Sequence, residues 1–289
     1  MNRIAVRPGL AYLPYVFQHL VPRVPVIVPG ASAEIPAVKT WTFESLRARV
    51  GDRVVRVDVS GQVEQWAVRE FIDSLRGSAE SGREVLEGGT GGDRRNPPYL
   101  RNSSLVEFFP ELIPEVPLPI YCYPNWLESE ALAKYIPPVW TYWAELFLSC
   151  AGTRFPRVHV DSSMTHAWVI GVMGRKKFWA WPPRRGQPNY SIHSEEQQAE
   201  RGLDCIGRDL EGFFEHSRPF TGELGPGDFL FLPTGWWHTA ESLTEAISLS
   251  GNFVNETNWA EFVDCWFSGM RYKPGMQSIS QLMRELGRP

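Results

Sequence analysis

The stretch RVHVDSSMTHAWVIGVMGRKKFWAWPP, residues 157–183, decides how this chain folds. Most of it consists of short runs of Val, Ile, Trp and Phe, which are typical of buried β-strands. Within these runs stand two histidines, one aspartate and the pair Lys176 and Lys177. Because polar side chains in a buried strand need partners, the segment predicts a site with its own chemistry inside a β-structure.

His159 and Asp161 indicate what that chemistry is. They stand two apart on a predicted strand, so alternation turns both side chains to one face, away from Val158 and Val160. Burying an imidazole and a carboxylate without partners costs on the order of several kcal/mol, and a divalent metal ion would supply the partner. A His-x-Asp pair with one later histidine is the ligand set of many non-haem Fe(II) sites. Taken alone, the two residues more often indicate a hydrogen-bonded pair in the core, and the metal site depends on a third ligand elsewhere in the chain.

His238 is the best candidate for the third ligand. In GPGDFLFLPTGWWHTAESL, residues 225–243, it follows a Gly-Asp turn and an apolar strand, which places it at a strand end beside two tryptophans. The other histidines fit less well, because they lie in an amphipathic, a turn-like or a polar segment. They are His19, His166, His193 and His216.

The rest of the chain predicts a mainly β protein with flanking helices. From about residue 145 to 258 the sequence consists of short strands with Gly and Pro turns, the pattern of an antiparallel sandwich or barrel. Residues 10–76 alternate short strands with amphipathic helices, and the segment that begins at Tyr99 is expected to be helical and then extended. The tail after residue 258 has helical patterns. Neither an internal repeat nor a linker divides the chain.

Composition and charge narrow the class of protein. With 289 residues, of which 43% are hydrophobic, the chain can bury a substantial core. A formal net charge of -4 argues against a nucleic-acid binder, which usually carries a basic stripe. Charged residues and prolines interrupt the apolar N-terminal stretch, so neither a signal peptide nor a membrane span is expected. The four scattered cysteines predict reduced thiols in a cytoplasmic protein.

Two long motifs together resemble the Jumonji-C, or cupin-like, family of Fe(II)- and 2-oxoglutarate-dependent dioxygenases. They are VHVDSSMTHAWVIGVMGRKKFWAWPP, residues 158–183, and GELGPGDFLFLPTGWWHTAESLTEAISLSGNFVN, residues 222–255. The likeness covers roughly residues 99–258 and implies a double-stranded β-helix, the jelly-roll or cupin core. On this interpretation residues 1–289 are a single domain, with an α/β flank in 1–98, the core in 99–258 and C-terminal helices in 259–289.

The resemblance also implies which residues hold 2-oxoglutarate, a dianion whose far carboxylate needs a cation and hydroxyl donors. Lys176 matches the family's lysine that pairs with this carboxylate, and Ser250 matches a position that donates a hydroxyl to it. Asn252 matches an asparagine on the iron side of the pocket, and Tyr99 matches a tyrosine that reaches the same carboxylate. Two further tyrosines compete with Tyr99 for that role: Tyr121 and Tyr123.

Two positions depart from the family pattern. Pro156 stands where many relatives have Ser or Thr, and Val169 stands where lysyl-hydroxylase-like relatives have Asn. Both departures remove polar contacts near the cosubstrate and leave the three metal ligands untouched. The detailed contacts of 2-oxoglutarate therefore stay open at this point.

The implied activity is hydroxylation of a C–H bond in an amino-acid side chain of a protein, a peptide or a free amino acid, with decarboxylation of 2-oxoglutarate to succinate. Fe(II), 2-oxoglutarate and O2 are the expected cofactor and cosubstrates. Two alternatives remain, an N-demethylase of the same family and a cupin-fold binding protein without catalysis. Neither a nucleic acid nor a membrane is an expected partner, and the C-terminal helices are candidates for a homodimer interface. The Gly-rich insertion at 77–98 is either a surface loop or a flap over the site.

Overall fold

A computed structural model of the chain describes residues 2–75, 96–183, 203–204 and 217–270. Three predictions fall on residues outside these ranges. They concern the proposed flap in residues 77–95, the second C-terminal helix in residues 278–287, and the candidates His193 and His216. The homodimer interface and the division of the chain into one domain also stay predictions.

Short strands dominate the described chain, and the prediction of a mainly β fold with flanking helices is confirmed. In chain order the strands are β1 (Asn2–Arg3), β2 (Ala5–Val6), β3 (Val26–Val28), β4 (Val54–Val59), β5 (Gln62–Ala67), β6 (Tyr99–Ser104), β7 (Glu145–Ser149), β8 (Arg157–Val158), β9 (His166–Met173), β10 (Lys176–Trp181), β11 (Leu203–Asp204), β12 (Phe220–Leu224), β13 (Phe229–Leu232), β14 (Trp237–Ser242) and β15 (Ala246–Phe253).

The strands form two main sheets. Within the described residues the larger sheet has nine strands in the order β2-β3-β13-β9-β15-β7-β6-β4-β5, and the smaller has four in the order β1-β12-β10-β14. Strands β8 and β11 pair separately. Pairing is antiparallel except for β1 with β12 and β2 with β3. Strands from the first 67 residues therefore extend the sheet that contains β7, β9 and β15.

Helices flank the sheets. They are α1 (Tyr12–Tyr15), α2 (Pro36–Thr40), α3 (Phe43–Val50), α4 (68–75), α5 (Leu105–Phe108), α6 (Glu130–Ala133), α7 (Pro138–Thr141) and α8 (Trp259–Met270), with a π-helical turn at Val16–Leu20 and 3-10 turns at Pro110–Glu115, Ile120–Cys122, Trp126–Glu128 and Ser162–Met164. Apolar residues of α3 and α4, such as Leu46 and Phe71, pack with sheet residues in the main core. No helix in the described part of the chain is long and apolar enough to cross a membrane.

Strand β15 shows how alternation creates a second, polar interior. Its residues Ile247, Leu249 and Phe253 are fully buried in the main core. The alternate residues point between the two sheets, where they line a cavity. These alternate residues are Ser248, Ser250 and Asn252. Alternation therefore divides this strand into an apolar face in the core and a small polar face in the cavity.

The prediction for the segment after residue 98 was wrong at its start. Tyr99 lies in strand β6, where a helical pattern was expected, and the helix begins only at Leu105. Pairing with β4 on one side and β7 on the other supplies the backbone hydrogen bonds of β6. The ladder with β7 is irregular between Leu100 and Ser103, and Asn102 has a left-handed backbone with φ of 52°. Tertiary pairing has overridden the local preference here.

Gly251 allows the chain before β7 to approach β15 closely. A Cβ atom at this position would lie 1.8 Å from the carbonyl oxygen of Trp143 and 2.6 Å from the ring of Trp168. Only a glycine fits such a contact without moving a backbone. The contact brings Trp143 and the start of β7 onto the cavity wall.

We expect Gly251→Ala to lower the free energy of unfolding by about 2 to 3 kcal/mol, because the added methyl group overpacks a backbone contact. The measurement is thermal or urea unfolding of the purified protein. Gly225→Ala is the matched control, since its Cβ would meet its nearest neighbour, Asp228 Oδ2, at an ordinary 3.4 Å. Equal stability of the two variants would contradict the close contact.

Candidate metal and cosubstrate site

The two sheets enclose an open cavity of about 730 Å³. Strands β7, β9 and β15 of the larger sheet and strands β10 and β14 of the smaller one supply much of its wall. All of the site residues predicted from the sequence line this cavity. They are His159, Asp161, His238, Lys176, Tyr99, Ser250 and Asn252.

Backbone pairing brings the two histidines together. The N–H of His159 donates to the carbonyl of His238 at 3.0 Å, and the N–H of His238 donates to the carbonyl of His159 at 2.8 Å. Their rings lie 4.2 Å apart between centroids. Asp161 follows on the same face, with its Oδ2 3.8 Å from Nε2 of His238. One ligand atom from each of the three residues lies within 4.8 Å of the others.

Hydrogen bonds fix the protons on both imidazole rings. Nδ1 of His159 lies 3.2 Å from the carbonyl oxygen of Arg157, and Nδ1 of His238 lies 3.1 Å from that of Trp236. A carbonyl oxygen only accepts, so each Nδ1 must carry a proton. In the neutral rings the lone pair then stands on Nε2, which is the usual arrangement of a metal-binding histidine.

The electrostatics of the three residues suit a cation. Burial lowers the pKa of the His159 imidazole well below its usual range, and the neighbouring His238 lowers it further. Burial raises the pKa of the Asp161 carboxyl, while His238 and Asn252 act in the opposite direction. Two imidazoles and one carboxylate on one face form a donor set that fits Fe(II) or a similar divalent ion. The residues present therefore fit the metal, and their role as its ligands stays a prediction.

Lys176 is a buried cation, and among the described residues no acidic side chain pairs with it. It is 5% exposed. Its Nζ donates to Oγ of Ser248 at 2.8 Å and to the hydroxyl of Tyr99 at 3.3 Å, and it also lies over the ring of Phe147. Burial lowers the pKa of Lys176 to about 7. A lysine held by neutral groups in a cavity is ready to receive an anion from outside the chain.

The other predicted cosubstrate residues occupy different parts of the cavity. Ser250 donates from its Oγ to the carbonyl of Trp168 at 3.0 Å, and the serine that touches Lys176 is Ser248. Asn252 donates to Oγ1 of Thr165 at 2.7 Å on the Asp161 side. Alternation predicts that Ser248 and Ser250 share a face, but not which of them lies beside the lysine.

The competing tyrosines lie elsewhere. The hydroxyl of Tyr121 donates to the carbonyl of Leu10, and Tyr123, 37% exposed, precedes a proline. Neither belongs to the cavity wall, whereas Tyr99 is 3% exposed and lies beside Lys176. The geometry therefore favours Tyr99 among the three candidates.

Sequence reasoning missed a carboxylate in the cavity wall, Glu145 at the start of β7. One of its oxygens accepts from Nδ2 of Asn102 at 2.9 Å, and the other accepts from Nε1 of Trp143 at 3.2 Å. Burial raises the pKa of Glu145, and the charge of Asp161 adds to the rise. No salt bridge within the described residues neutralises it. An acidic residue that opens an apolar strand, ELFLS, was the signal available in the sequence.

Sequence reasoning also missed an ion pair in the same wall. Arg101 donates from Nη2 to Oδ2 of Asp58 at 2.9 Å, and Asp58 is 3% exposed. The guanidinium lies over the ring of Phe155, which stacks on His159 with centroids 4.3 Å apart. The ion pair thus packs against Phe155, and Phe155 packs against the ring of His159.

The β4–β5 hairpin forms part of the cavity rim. Its two-residue turn consists of Ser60 and Gly61, with φ of 54° and 89°, and both line the cavity. Left-handed conformations at both central residues match the right-handed twist of a tight hairpin. This part of the rim is thus a hairpin turn, whereas the three candidate metal ligands lie between the two sheets.

Comparison with known proteins agrees with this architecture. The sequence profile of the family described as "Cupin-like domain" matches residues 16–268. Lysine-specific demethylase JMJ21 of Arabidopsis thaliana is 24% identical over 81% of this chain and 24% of its own length. Arginine-specific demethylase JMJ22 of the same plant is 24% identical over 86% of this chain and 46% of its own length. The 2-oxoglutarate and iron-dependent oxygenase JMJD4 of Mus musculus is 24% identical over 86% of this chain and 60% of its own length. The chain thus spans from about a quarter to about three fifths of these relatives.

We expect Lys176→Met to raise the free energy of unfolding of the ligand-free protein by about 1 to 3 kcal/mol at neutral pH, because it removes a buried unpaired charge. The folded lysine loses its proton near pH 7, whereas the unfolded one keeps it to about pH 10. Between these two pH values the unfolded state binds more protons than the folded state, so the wild-type protein gains stability as pH rises. The difference in free energy of unfolding between Lys176→Met and the wild type should therefore become smaller at higher pH.

Urea unfolding at pH 7 and pH 9 measures this effect. Lys177→Met is the matched control, since Lys177 is only half-buried, with its Nζ over the ring of Trp179. A Lys176→Met protein that is less stable than the wild type at both pH values would show that the lysine has a partner.

Proposed function

This chain belongs to the family of cupin-like domains, and we propose that it is an Fe(II)- and 2-oxoglutarate-dependent oxygenase that hydroxylates an amino-acid side chain. The observation that carries the proposal is one cavity that holds both a His-Asp-His face and a buried lysine with no acidic partner among the residues that the structure describes. The relative named as a 2-oxoglutarate and iron-dependent oxygenase supports the same activity.

Each residue has a separate part in this proposal. His159, Asp161 and His238 would hold Fe(II), and Lys176 with Tyr99 and Ser248 would hold the far carboxylate of 2-oxoglutarate. When bound, the metal and 2-oxoglutarate supply dioxygen activation, in which one oxygen atom enters the substrate C–H bond and the other enters succinate as CO2 leaves.

The chain itself positions the reactants and keeps water away from them. Phe178, Val169 and Leu232 line the cavity between the two sheets and present apolar surface to it. Apolar walls strengthen the attraction between Lys176 and a carboxylate, because little solvent screens the two charges. Val169 and a further lining residue, Pro156, occupy the positions that depart from the family pattern. Cosubstrate binding here would thus depend on the lysine and its two hydroxyl partners.

We infer that the substrate is a protein or peptide that presents a basic side chain. Glu145 lines the same cavity as the metal ligands. Each of its carboxylate oxygens accepts one hydrogen bond from a neutral side chain and can accept another. A cationic side chain would neutralise this carboxylate, and the indole of Trp143 beside it would pack against the aliphatic stem. The names of the relatives agree, since two are lysine- or arginine-specific.

N-demethylation is the second candidate, and the same two observations favour it. A methylated lysine or arginine keeps its positive charge, so Glu145 serves it equally well. Hydroxylation of the N-methyl carbon would release formaldehyde, whereas hydroxylation of a side-chain carbon would leave one oxygen atom on the substrate. Formaldehyde assay and mass spectrometry of a peptide panel therefore separate the two reactions.

We expect the purified protein with Fe(II) to convert 2-oxoglutarate to succinate in step with peptide oxidation, and His159→Ala or Asp161→Ala to abolish this turnover, because each variant removes a metal ligand. His19→Ala is the matched control, since His19 is also buried, and its Nδ1 bonds to the carbonyl of Val24. Turnover that survives in either ligand variant would refute the assignment of the metal site. A lack of succinate in the wild type under all conditions would favour a binding protein without catalysis.

We expect Glu145→Gln to lower kcat/KM for a lysine or arginine peptide by at least about tenfold, because the amide leaves the cation of the substrate unpaired. Uncoupled 2-oxoglutarate turnover and the rate with a norleucine peptide should stay within about twofold. Glu241→Gln is the control, since Glu241 is half-buried but already paired with Arg154 at 2.8 Å. Equal losses for the basic and norleucine peptides would show that Glu145 does not select charge.

A further inference from the structure

The turn that carries Asp161 has an uncommon backbone conformation. Asp161 precedes the 3-10 turn Ser162–Met164, in which Ser163 and Met164 have φ of 57° and 55°. Two successive non-glycine residues in the left-handed region cost free energy, so surrounding contacts must hold them there. Both residues are 1% exposed, which places these contacts inside the protein.

Two buried side chains hold this turn through one carbonyl group. The oxygen of Met164 accepts from Oγ1 of Thr234 at 2.8 Å and from Nδ2 of Asn258 at 3.0 Å. Thr234 is 2% exposed and Asn258 is fully buried. Both lone pairs of the carbonyl are thus used, by donors from two distant segments of the chain.

The same threonine also joins a buried histidine. The backbone N–H of Thr234 donates to Nδ1 of His166 at 3.0 Å, so the proton of this neutral ring stands on Nε2. Nε2 in turn bonds to Oγ1 of Thr257 at 2.8 Å, and that hydroxyl donates to Oδ1 of Asn255 at 2.7 Å. The N–H of Thr234, the Nε2–H of His166 and the hydroxyl of Thr257 thus each bond to the next residue along this path, which holds the His166 ring from both sides.

The network links the two sides of the proposed metal centre. Thr234 lies in the turn before β14, four positions before His238. The same turn contains Trp236, whose carbonyl oxygen accepts a hydrogen bond from Nδ1 of His238. On the other side, the turn of Met164 begins at Asp161. The hydroxyl of Thr234 therefore joins the turn that precedes His238 to the turn that follows Asp161.

We propose that Thr234 is a positioning residue of the metal centre, whose hydroxyl, together with the amide of Asn258, sets the offset of Asp161 from His238. Thr234 does not itself line the cavity, so it acts through the turn and not by contact with a ligand of the metal. This inference rests on the proposed function, because it assumes that the three residues bind a metal ion.

Titration of the full-length protein with Co(II), followed by the visible absorption of the bound ion, tests the proposal without any turnover. Thr234→Val removes the hydroxyl at nearly constant volume, and its affinity for Co(II) should fall about 10- to 100-fold, as is usual when a residue that orients metal ligands is lost. Thr234→Ser keeps the hydroxyl and should bind within about threefold of the wild type. Thr234→Ala gives the same comparison if the valine variant does not fold.

Thr153→Val separates positioning from general stability. Thr153 is 2% exposed, and its hydroxyl meets Sγ of Cys150 at 3.4 Å, away from the network. This variant should lose thermal stability but keep the Co(II) affinity and spectrum of the wild type. If Thr234→Val also keeps both, Thr234 serves folding alone and the inference is wrong. If the wild type itself does not bind Co(II) through His159, the proposed function fails with it.

Discussion

The reciprocal hydrogen bonds between the backbones of His159 and His238 are the contact on which the rest of the site depends. They join the end of β8 to the start of β14, two strands far apart in the sequence, and thereby place two imidazoles on one face. Asp161 stands two residues beyond His159, past the end of β8, and its carboxylate lies close to both imidazoles. The other cavity residues lie on strands beside or opposite this pair of histidines. The lysine lies on the neighbouring strand β10, and the small polar residues lie on β15 across the sandwich.

The cavity combines two ionic groups that the described residues leave without salt bridges, Lys176 and Glu145. Each is held by neutral hydrogen-bond donors or acceptors, which fix its direction but do not cancel its charge. Isolated charges in a protein interior lower stability, so their presence in one cavity indicates that ligands of opposite sign complete them. An anion at the lysine and a cation at the glutamate would orient two different molecules in one cavity. This arrangement suits a reaction between a cosubstrate and a substrate.

Much of this site could be predicted from local sequence, because period-two alternation decides which side chains share a face. That is why the sequence places His159 and Asp161 together, and why Ser250 and Asn252 share one face of β15. Alternation predicts which face of a strand a side chain lies on, but not which residue of that face contacts a neighbouring strand. Ser248 was therefore missed as the neighbour of Lys176. Glu145, the pair of Arg101 with Asp58, and the strand at Tyr99 depend on pairing between distant segments, which no local pattern carries.

The hairpin formed by β4 and β5 has a consequence for how such a protein changes during evolution. It reaches the cavity through its tip at Ser60 and Gly61 and is anchored to the sheet where Val57 and Asp58 pair with β6. Residues inserted at or removed from the tip would alter the opening while leaving strands β7, β9 and β15 in place. The opening of the cavity and its metal-ligand face are therefore encoded in separate segments, so changes at the hairpin tip can alter which molecules enter while the residues of the interior stay in place.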